Sequence, residues 1–394
     1  MPTSTRNPLL LRGAAVTAVA VLSLSACGSS PRAAAAEASA GLDPAAAAAG
    51  AEARSEDGPA AAAGAAGPIT VAVAGDVHFE GSSAAALEPG ALAAVAGVLS
   101  AADVSVVNLE TAVTGRGTAA PKRYTFRAPP SALAALEQAG VDVAAMANNH
   151  SLDYGPVGLR DTLAASRTEG LPVIGVGEDA DAAYAPWTTT VRGHDLAVFN
   201  ATQVLDASLA TAWTATTAQG GVASVKTDAG RRRLLTGVHE AHERGASVVV
   251  VLHWGAERTS CPSPAQESLA DDLVAAGADA VVGSHAHQLL GAGWKRAGGR
   301  SGYVDYGLGN FVFYARGGVA ARTGVLTLTL PGRTTPAPAG TGAAAGGRAA
   351  PGARWQPAAI RSGVPVPLTG AAAEGAVAEK DALRSCTDLG ARPS

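Results

Sequence analysis

The chain has 394 residues, a formal net charge of −4, a pI near 6.1 and no long basic stretch. A nucleic-acid partner, which needs clustered Lys and Arg on one face, is therefore not expected. Hydrophobic residues make up 47% and aromatic residues only 4%, so the length suits one large domain or two ordinary ones with a core of Ala, Val and Leu. The one cationic cluster, Arg231-Arg232-Arg233, sits in a helical pattern and reads as a solvated face.

At the N-terminus, Arg6 and Arg12 precede an uncharged run over 13–26. The run is too short to cross a bilayer and suits a signal peptide covering 1–26. It closes on Leu24-Ser25-Ala26-Cys27, which resembles a bacterial lipobox and implies a lipid on Cys27 that anchors an extracytoplasmic protein to the membrane. Residues 27–67 are rich in Ala, Gly and Pro without a hydrophobic period, as expected of a flexible tether. A second low-complexity segment, at about 331–352, reads as a surface insertion in the domain formed by 68–394. With Cys27 lipidated, Cys261 and Cys386 remain. In an exported chain they most simply form one disulfide, two separate thiols being the alternative.

Within the domain, strand and helix patterns alternate. Strands are expected at 69–74, 104–107, 141–147, 173–176, 247–252 and 280–282. Helices are expected at 89–99, 131–138, 157–167, 227–244 and 264–276. A hairpin at 187–201 turns on Gly193-His194-Asp195, and only strand-like pieces follow residue 282, at 303–306, 311–314 and 324–330. Alternation predicts a largely parallel sheet with helices outside, and the β-rich end predicts a second sheet or an antiparallel extension. In such folds the site lies beyond the C-terminal ends of the strands.

Polar clusters fall at those ends: Asp76-Val77-His78, Asn108-Leu109-Glu110-Thr111, Asn148-Asn149-His150, His253-Trp254 and Ser284-His285-Ala286-His287. Singly, each has a plain reading: a turn for Asp76, a cap for Glu110, a hydrogen-bonded core ring for His253. Together, imidazoles and carboxylates form a ligand set for divalent transition metals such as Mn, Fe or Zn. There are too many ligands for one four-coordinate ion, so two ions are expected, a pairing that can clamp a phosphoryl group. Lys122 and Arg127, in the loop after Glu110, read either as contacts to an anionic substrate or as solvated loop charges. Asn310, in a glycine-rich stretch, reads either as a substrate contact or as a turn residue.

These motifs carry a resemblance. Asp76-Val77-His78, Asn149-His150, His253 and His285-Ala286-His287 follow the order of the calcineurin-like metallophosphoesterase motifs. Asn108-Leu109-Glu110-Thr111, Phe126-Arg127-Ala128-Pro129, the run from Ala147 to Gly155, His253-Trp254-Gly255-Ala256-Glu257 and Tyr306-Gly307-Leu308-Gly309-Asn310-Phe311 resemble the bacterial CapA family, linked to poly-γ-glutamate capsule synthesis. The resemblance implies a four-layer α/β/β/α sandwich. It implies Asp76, His78 and His287 on one ion and Asn149, His253 and His285 on the other, with His150 off the metal as the catalytic group. Glu110 stands where the superfamily uses a bridging Asp, so it either bridges with a longer arm or holds one ion; Ser151 replaces the acid expected after His150. Three functions follow: a surface factor for an anionic polymer, a metal-dependent phosphoesterase, or a non-catalytic metal-binding lipoprotein. No Gly-x-x-x-x-Gly-Lys-Ser/Thr loop occurs, so polymer ligation would need a membrane-bound synthase as partner.

Overall fold

A computed structural model of the chain describes residues 67–332 and 349–393. The expected leader, Cys27, nearly all of the tether and most of the expected insertion lie outside those residues. Among the described residues no helix is long and apolar enough to cross a membrane.

The chain builds a mixed α/β fold on two large sheets. It starts the first with β1 (Ile69–Val77), β2 (Val104–Leu109), β3 (Val143–Ala145) and β4 (Val173–Ile174). It then lays down the second with β5 (Trp187–Val191), β6 (His194–Thr202), β7 (Ser247–His253), β8 (Ala280–Ser284), β9 (Ala292–Ala297) and β10 (Arg300–Asp305). It returns to the first with β11 (Asn310–Val312), β12 (Arg322–Leu330), β13 (Gly352–Arg361) and β14 (Val364–Pro367). The first sheet runs β14-β13-β12-β1-β2-β3-β4, with β11 beside the end of β1; the second runs β9-β10-β8-β7-β6-β5. Each sheet contains a parallel run: β1 to β4 in one, and β6, β7, β8 and β10 in the other.

Why these strands form is visible in their burial. Every residue of β2 and β7 is buried, as expected of parallel strands covered on both faces, which read as continuous apolar runs. One core cluster joins the two sheets, through Val71, Val73 and Val106 from the first and Val198, Val249 and Val282 from the second. A second lies under the helices α1 (Ala93–Leu99), α2 (Ser131–Gln138) and α3 (Gly155–Glu169), and a third under α4 (Asp228–Glu243) and α5 (Pro264–Ala276). The start of α5 is set locally: Ser263 and Gln266 form a reciprocal capping box ahead of Pro264.

One expectation fails. The end of the chain is not strand-like alone, because a helix, α6 (Gly370–Ala382), follows β14. Its sequence, rich in Ala and Gly, has no apolar stripe to reveal it. It docks through a cation instead: Lys380 is buried, and its ammonium lies 2.9 Å from Asp305 Oδ2 and donates to Leu290 O at 3.0 Å. Cys386, just past α6, is joined to Cys261 across 125 residues of chain.

A second polar tie joins the two sheets at the opposite end of the strands. Asp103, ahead of β2, accepts from Thr70 N at 2.8 Å and from both terminal guanidinium nitrogens of Arg192 in the β5–β6 turn. The Arg192 pairing holds the Asp103 carboxyl down at about 2.

Two outcomes test this account. Cys386→Ser should lower the unfolding free energy by about 2–4 kcal/mol, read as an earlier denaturant midpoint, because closing a long loop restricts the unfolded chain. The contribution of Asp103 is present above its unfolded pKa of about 4 and fades as pH falls toward 2. Asp103→Asn should therefore melt earlier near neutrality and lose that part of the acid dependence in a pH series of melting curves.

Candidate metal centre

The strand ends meet where the topology directs them. Asp76 ends β1, Glu110 follows β2, His253 ends β7, and His285 and His287 follow β8. The ligand atoms of Glu110, His253 and His285 lie within 4.8 Å of one another, and so do those of Asp76, Glu110 and His287. Glu110 is common to both groups.

The backbone around this point is unusual in ways that serve it. Asp76 N–H donates to Gly309 O at 2.9 Å, and a Cβ on Gly75 would sit 1.9 Å from that same oxygen. The glycine-rich stretch can thus cross the end of β1 only because residue 75 has no side chain. His285 and His287 both take positive φ, 90° and 56°, a strained conformation for residues with a Cβ that is tolerated where the surroundings over-determine it. The bends turn both rings, two residues apart, toward Glu110.

Hydrogen bonds then fix the side chains. Asn108 Nδ2 donates to Asp76 Oδ1 at 2.8 Å, and His285 N–H donates to Asp76 Oδ2 at 3.3 Å. His253 Nδ1 lies 3.0 Å from Ser284 Oγ, while its Nε2 lies 2.8 Å from Asn149 Oδ1 and 3.4 Å from Glu110 Oε1. Asn310 is buried and wholly engaged: its Oδ1 is 2.9 Å from His287 Nδ1, and its Nδ2 donates to His287 O and Ala320 O. It holds His287 rather than facing a substrate.

Glu110 is the anomaly. It is fully buried, and neither carboxylate oxygen has a hydrogen-bond partner. Burial lifts its carboxyl well above the ordinary range, and Asp76 adds to the effect. Burial pushes His285 down to about 3 and His253 well below its usual value, so both rings are neutral, the form that ligates metals. Burial alone would lower His287, but Glu110 and Asp76 outweigh it and raise it to about 9. A buried carboxylate without a donor, ringed by imidazoles, is the condition that a bound cation relieves. The residues present fit a divalent metal.

His78 stands outside both groups. Glu80 N–H donates to its Nδ1 at 3.0 Å, which puts the ring proton of the neutral form on Nε2. Its ring stacks on Phe126 at 4.5 Å, and Phe126 stacks in turn on His150 at 4.2 Å. Arg127 is exposed, with its guanidinium 5.0 Å from the Tyr154 ring. Trp254 packs in the core and donates to Tyr306 O at 3.0 Å.

His150 has its own network. Its Nδ1 lies 2.6 Å from Asp153 Oδ2, and its Nε2 lies 3.8 Å from Glu110 Oε1. Lys122 Nζ is 2.8 Å from Asp153 Oδ1 and also donates to Asn149 O. Sequence reasoning missed Asp153, having looked for the acid at Ser151. The signal was there: an acid three residues on faces back once the chain turns, and Asp153 N–H does bond His150 O at 3.2 Å.

A family model described as bacterial capsule synthesis protein PGA_cap matches residues 70–315, more than half of the chain. The chain belongs to this family. The matched stretch carries every ligand atom described above, along with Lys122, His150 and Asp153. Among curated relatives, the capsule biosynthesis protein CapA of Bacillus anthracis is 35% identical over 194 residues, 49% of this chain and 45% of its own length. A probable polyglutamine synthesis accessory protein of Mycobacterium tuberculosis is 33% identical over 193 residues, 48% of this chain and 50% of its own length. The chain thus spans about half the length of the curated relatives it matches. Solved structures of similar shape include a phosphatase from Mycoplasma pneumoniae, with a TM-score of 0.41 and 13% identity over 67% of this chain and 88% of that one.

Glu110→Gln keeps the shape and removes the charge. Metal per chain, measured by mass spectrometry of the purified protein, should fall below the wild-type value. Chelator-treated E110Q should melt no lower than chelator-treated wild type, because burying an amide costs less than burying a carboxylate.

Proposed function

We propose that this protein is an extracytoplasmic accessory factor in assembly of a polyglutamate-type capsular polymer, working through two divalent ions (Mn, Fe or Zn) that share Glu110. The observation that carries the reading is that carboxylate: buried, without a donor, and common to two ligand groups inside the family-matched stretch. Asp76, Glu110 and His287 would hold one ion. Glu110, His253 and His285, with the Asn149 amide oxygen beside His253, would hold the other. Glu110 would then bridge where the superfamily has Asp, its longer side chain spanning both groups. The two sheets and their three cores fit the four-layer α/β/β/α arrangement that the resemblance implies. A lipid on Cys27 and the tether at 27–67 would keep the domain at the membrane, near a polymer synthase.

Bound divalent ions supply Lewis acidity toward an anionic oxygen. The chain's own residues do the rest. Asp153 holds His150 through Nδ1 and leaves Nε2 to receive or release a proton at a reacting oxygen. Lys122 clamps Asp153 from the far side and so fixes the tautomer. Phe126 walls the ring on one face and limits water there. Arg127 stands in the loop beyond, able to meet a carboxylate or phosphate.

The His150–Asp153 pair favours a second reading, hydrolysis of a phosphoester, over a purely structural centre. Three measurements separate the readings. Purified protein should contain about two divalent ions per chain; fewer than one removes the centre as a mechanism. Deletion of the gene should abolish surface polymer, restored by wild type and not by E110Q. His150→Asn should retain metal; a loss of about 10²–10⁴-fold in turnover of a chromogenic phosphodiester would support hydrolysis, whereas no activity in wild type would leave the polymer role alone.

A further inference from the structure

The loop between β7 and α5 reads Trp254-Gly255-Ala256-Glu257-Arg258-Thr259-Ser260-Cys261-Pro262-Ser263. After Trp254 it has no large aliphatic or aromatic side chain, and residues 256–261 are all exposed. Such a segment gains little from burial, so its conformation is set by hydrogen bonds and covalent ties.

Those hydrogen bonds run to one place. Trp254 N–H donates to Ser284 O at 3.4 Å, Arg258 N–H donates to Ala286 O at 3.0 Å, and Gln288 Nε2 donates to Ser260 Oγ at 3.3 Å. The loop therefore lies along residues 284–288, the stretch that carries His285 and His287. Ala286 stands between the two rings. The bond from Arg258 is the one hydrogen bond that Ala286 makes among the described residues. Arg258 has a φ of 60°, so left-handed backbone occurs on both sides of this contact. Such backbone persists only where its neighbours over-determine it.

The loop in turn is fixed through Cys261, whose partner is Cys386. Cys386 sits between two anchors on β9. Arg384 Nε donates to Ala292 O at 2.7 Å, and Gly390 exchanges backbone hydrogen bonds with Trp294 at 2.9 and 2.8 Å. The disulfide thus carries the rigidity of a sheet to a loop that has no core of its own.

We propose that the Cys261–Cys386 disulfide positions the metal centre: by pinning the loop at 254–263 it holds Ala286 and Gln288, and so keeps His285 and His287 in the bends that aim them at Glu110. The proposal rests on the reading of those histidines as ligands. Arg258, Ser260 and Cys261 are positioning residues that act through the 284–288 stretch. The link also puts the ligand geometry under the control of a segment beyond residue 315, where the family match stops. With the link cut, the ligating arrangement is populated for less of the time, and apparent affinity falls by that fraction.

The test compares wild type with the double variant Cys261→Ser, Cys386→Ser, which leaves no thiol of this pair to bind metal. Two quantities are read well below the melting temperature. One is the Mn²⁺ dissociation constant, by calorimetry; the other is amide exchange of Arg258 and His285, by NMR of chelator-treated protein. The Mn²⁺ constant should rise about tenfold, the size of effect seen when the support of a metal ligand is lost. Both amides should exchange faster by about the same factor. Asp103→Asn, which loosens the far end of the strands, should change neither quantity. Where the double variant does not fold, Ser260→Ala is read in the same way; it keeps the disulfide, removes the acceptor of Gln288 and should give a smaller change in the same direction. Wild-type Mn²⁺ affinity in the folded variant overturns the proposal, and so does an equal loss in D103N. Wild type that binds neither Mn²⁺ nor Zn²⁺ removes the ligand reading; the exchange rates then decide alone, and unchanged rates overturn any hold of the disulfide on the His285 bend.

Discussion

Glu110 occupies a place where a carboxylate ought not to be comfortable. Taking a charge out of water costs far more than any single side-chain contact returns, unless a counter-charge meets it. Here both oxygens lack donors, and the groups around them are neutral imidazoles, one protonated imidazole and a second carboxylate. Most of the odd features of the molecule are consequences of holding that arrangement together. His285 and His287 keep strained backbone so that their rings converge on one point. Asn108, Ser284 and Asn310 each hold one of the converging side chains, Asp76, His253 and His287 in turn.

Precision of this kind needs a rigid support, and the parallel strands supply it. Asp76, Glu110, His253 and His285 each sit within one residue of the end of a largely buried strand, and His287 follows two residues on, so their backbone cannot drift far without breaking the sheet. The two sheets share one core and are tied again at the far end by Asp103 and Arg192. His150 is placed differently. It stands in a turn after β3, braced by Asp153, Lys122 and Phe126. Its ring is thereby held by a different set of contacts from those that fix His253, His285 and His287, with Nε2 3.8 Å from Glu110 Oε1.

Beyond residue 315 the chain goes on to complete the first sheet and to cover one side of the molecule with α6. The helix at its end is held by other means: a buried ammonium–carboxylate pair and a disulfide just past it. The later segments thus add polar and covalent ties to the apolar burial of β12, whose Leu326, Leu328 and Leu330 enter the core between the sheets.

How much of this was legible beforehand depends on the range of the interaction that decides each element. The strands β1, β2, β7 and β8 and the helices α2, α4 and α5 follow from runs and periods that a sequence displays directly, since burial on both faces demands unbroken apolar residues. So did the polar residues at strand ends, because parallel topology sends those ends to one edge. The helix α6 was not legible, having no apolar stripe; its docking is settled by Lys380 meeting Asp305, 75 residues away. Nor could sequence assign Asp153 to His150, His78 to an aromatic stack, or Asn310 to the support of His287. Those roles rest on side-chain directions and distances of a few ångströms. The sequence by itself determined the alternation, the ligand types and the family; only the tertiary structure decided which groups share one carboxylate, because that is set by contacts between residues with no local relation along the chain.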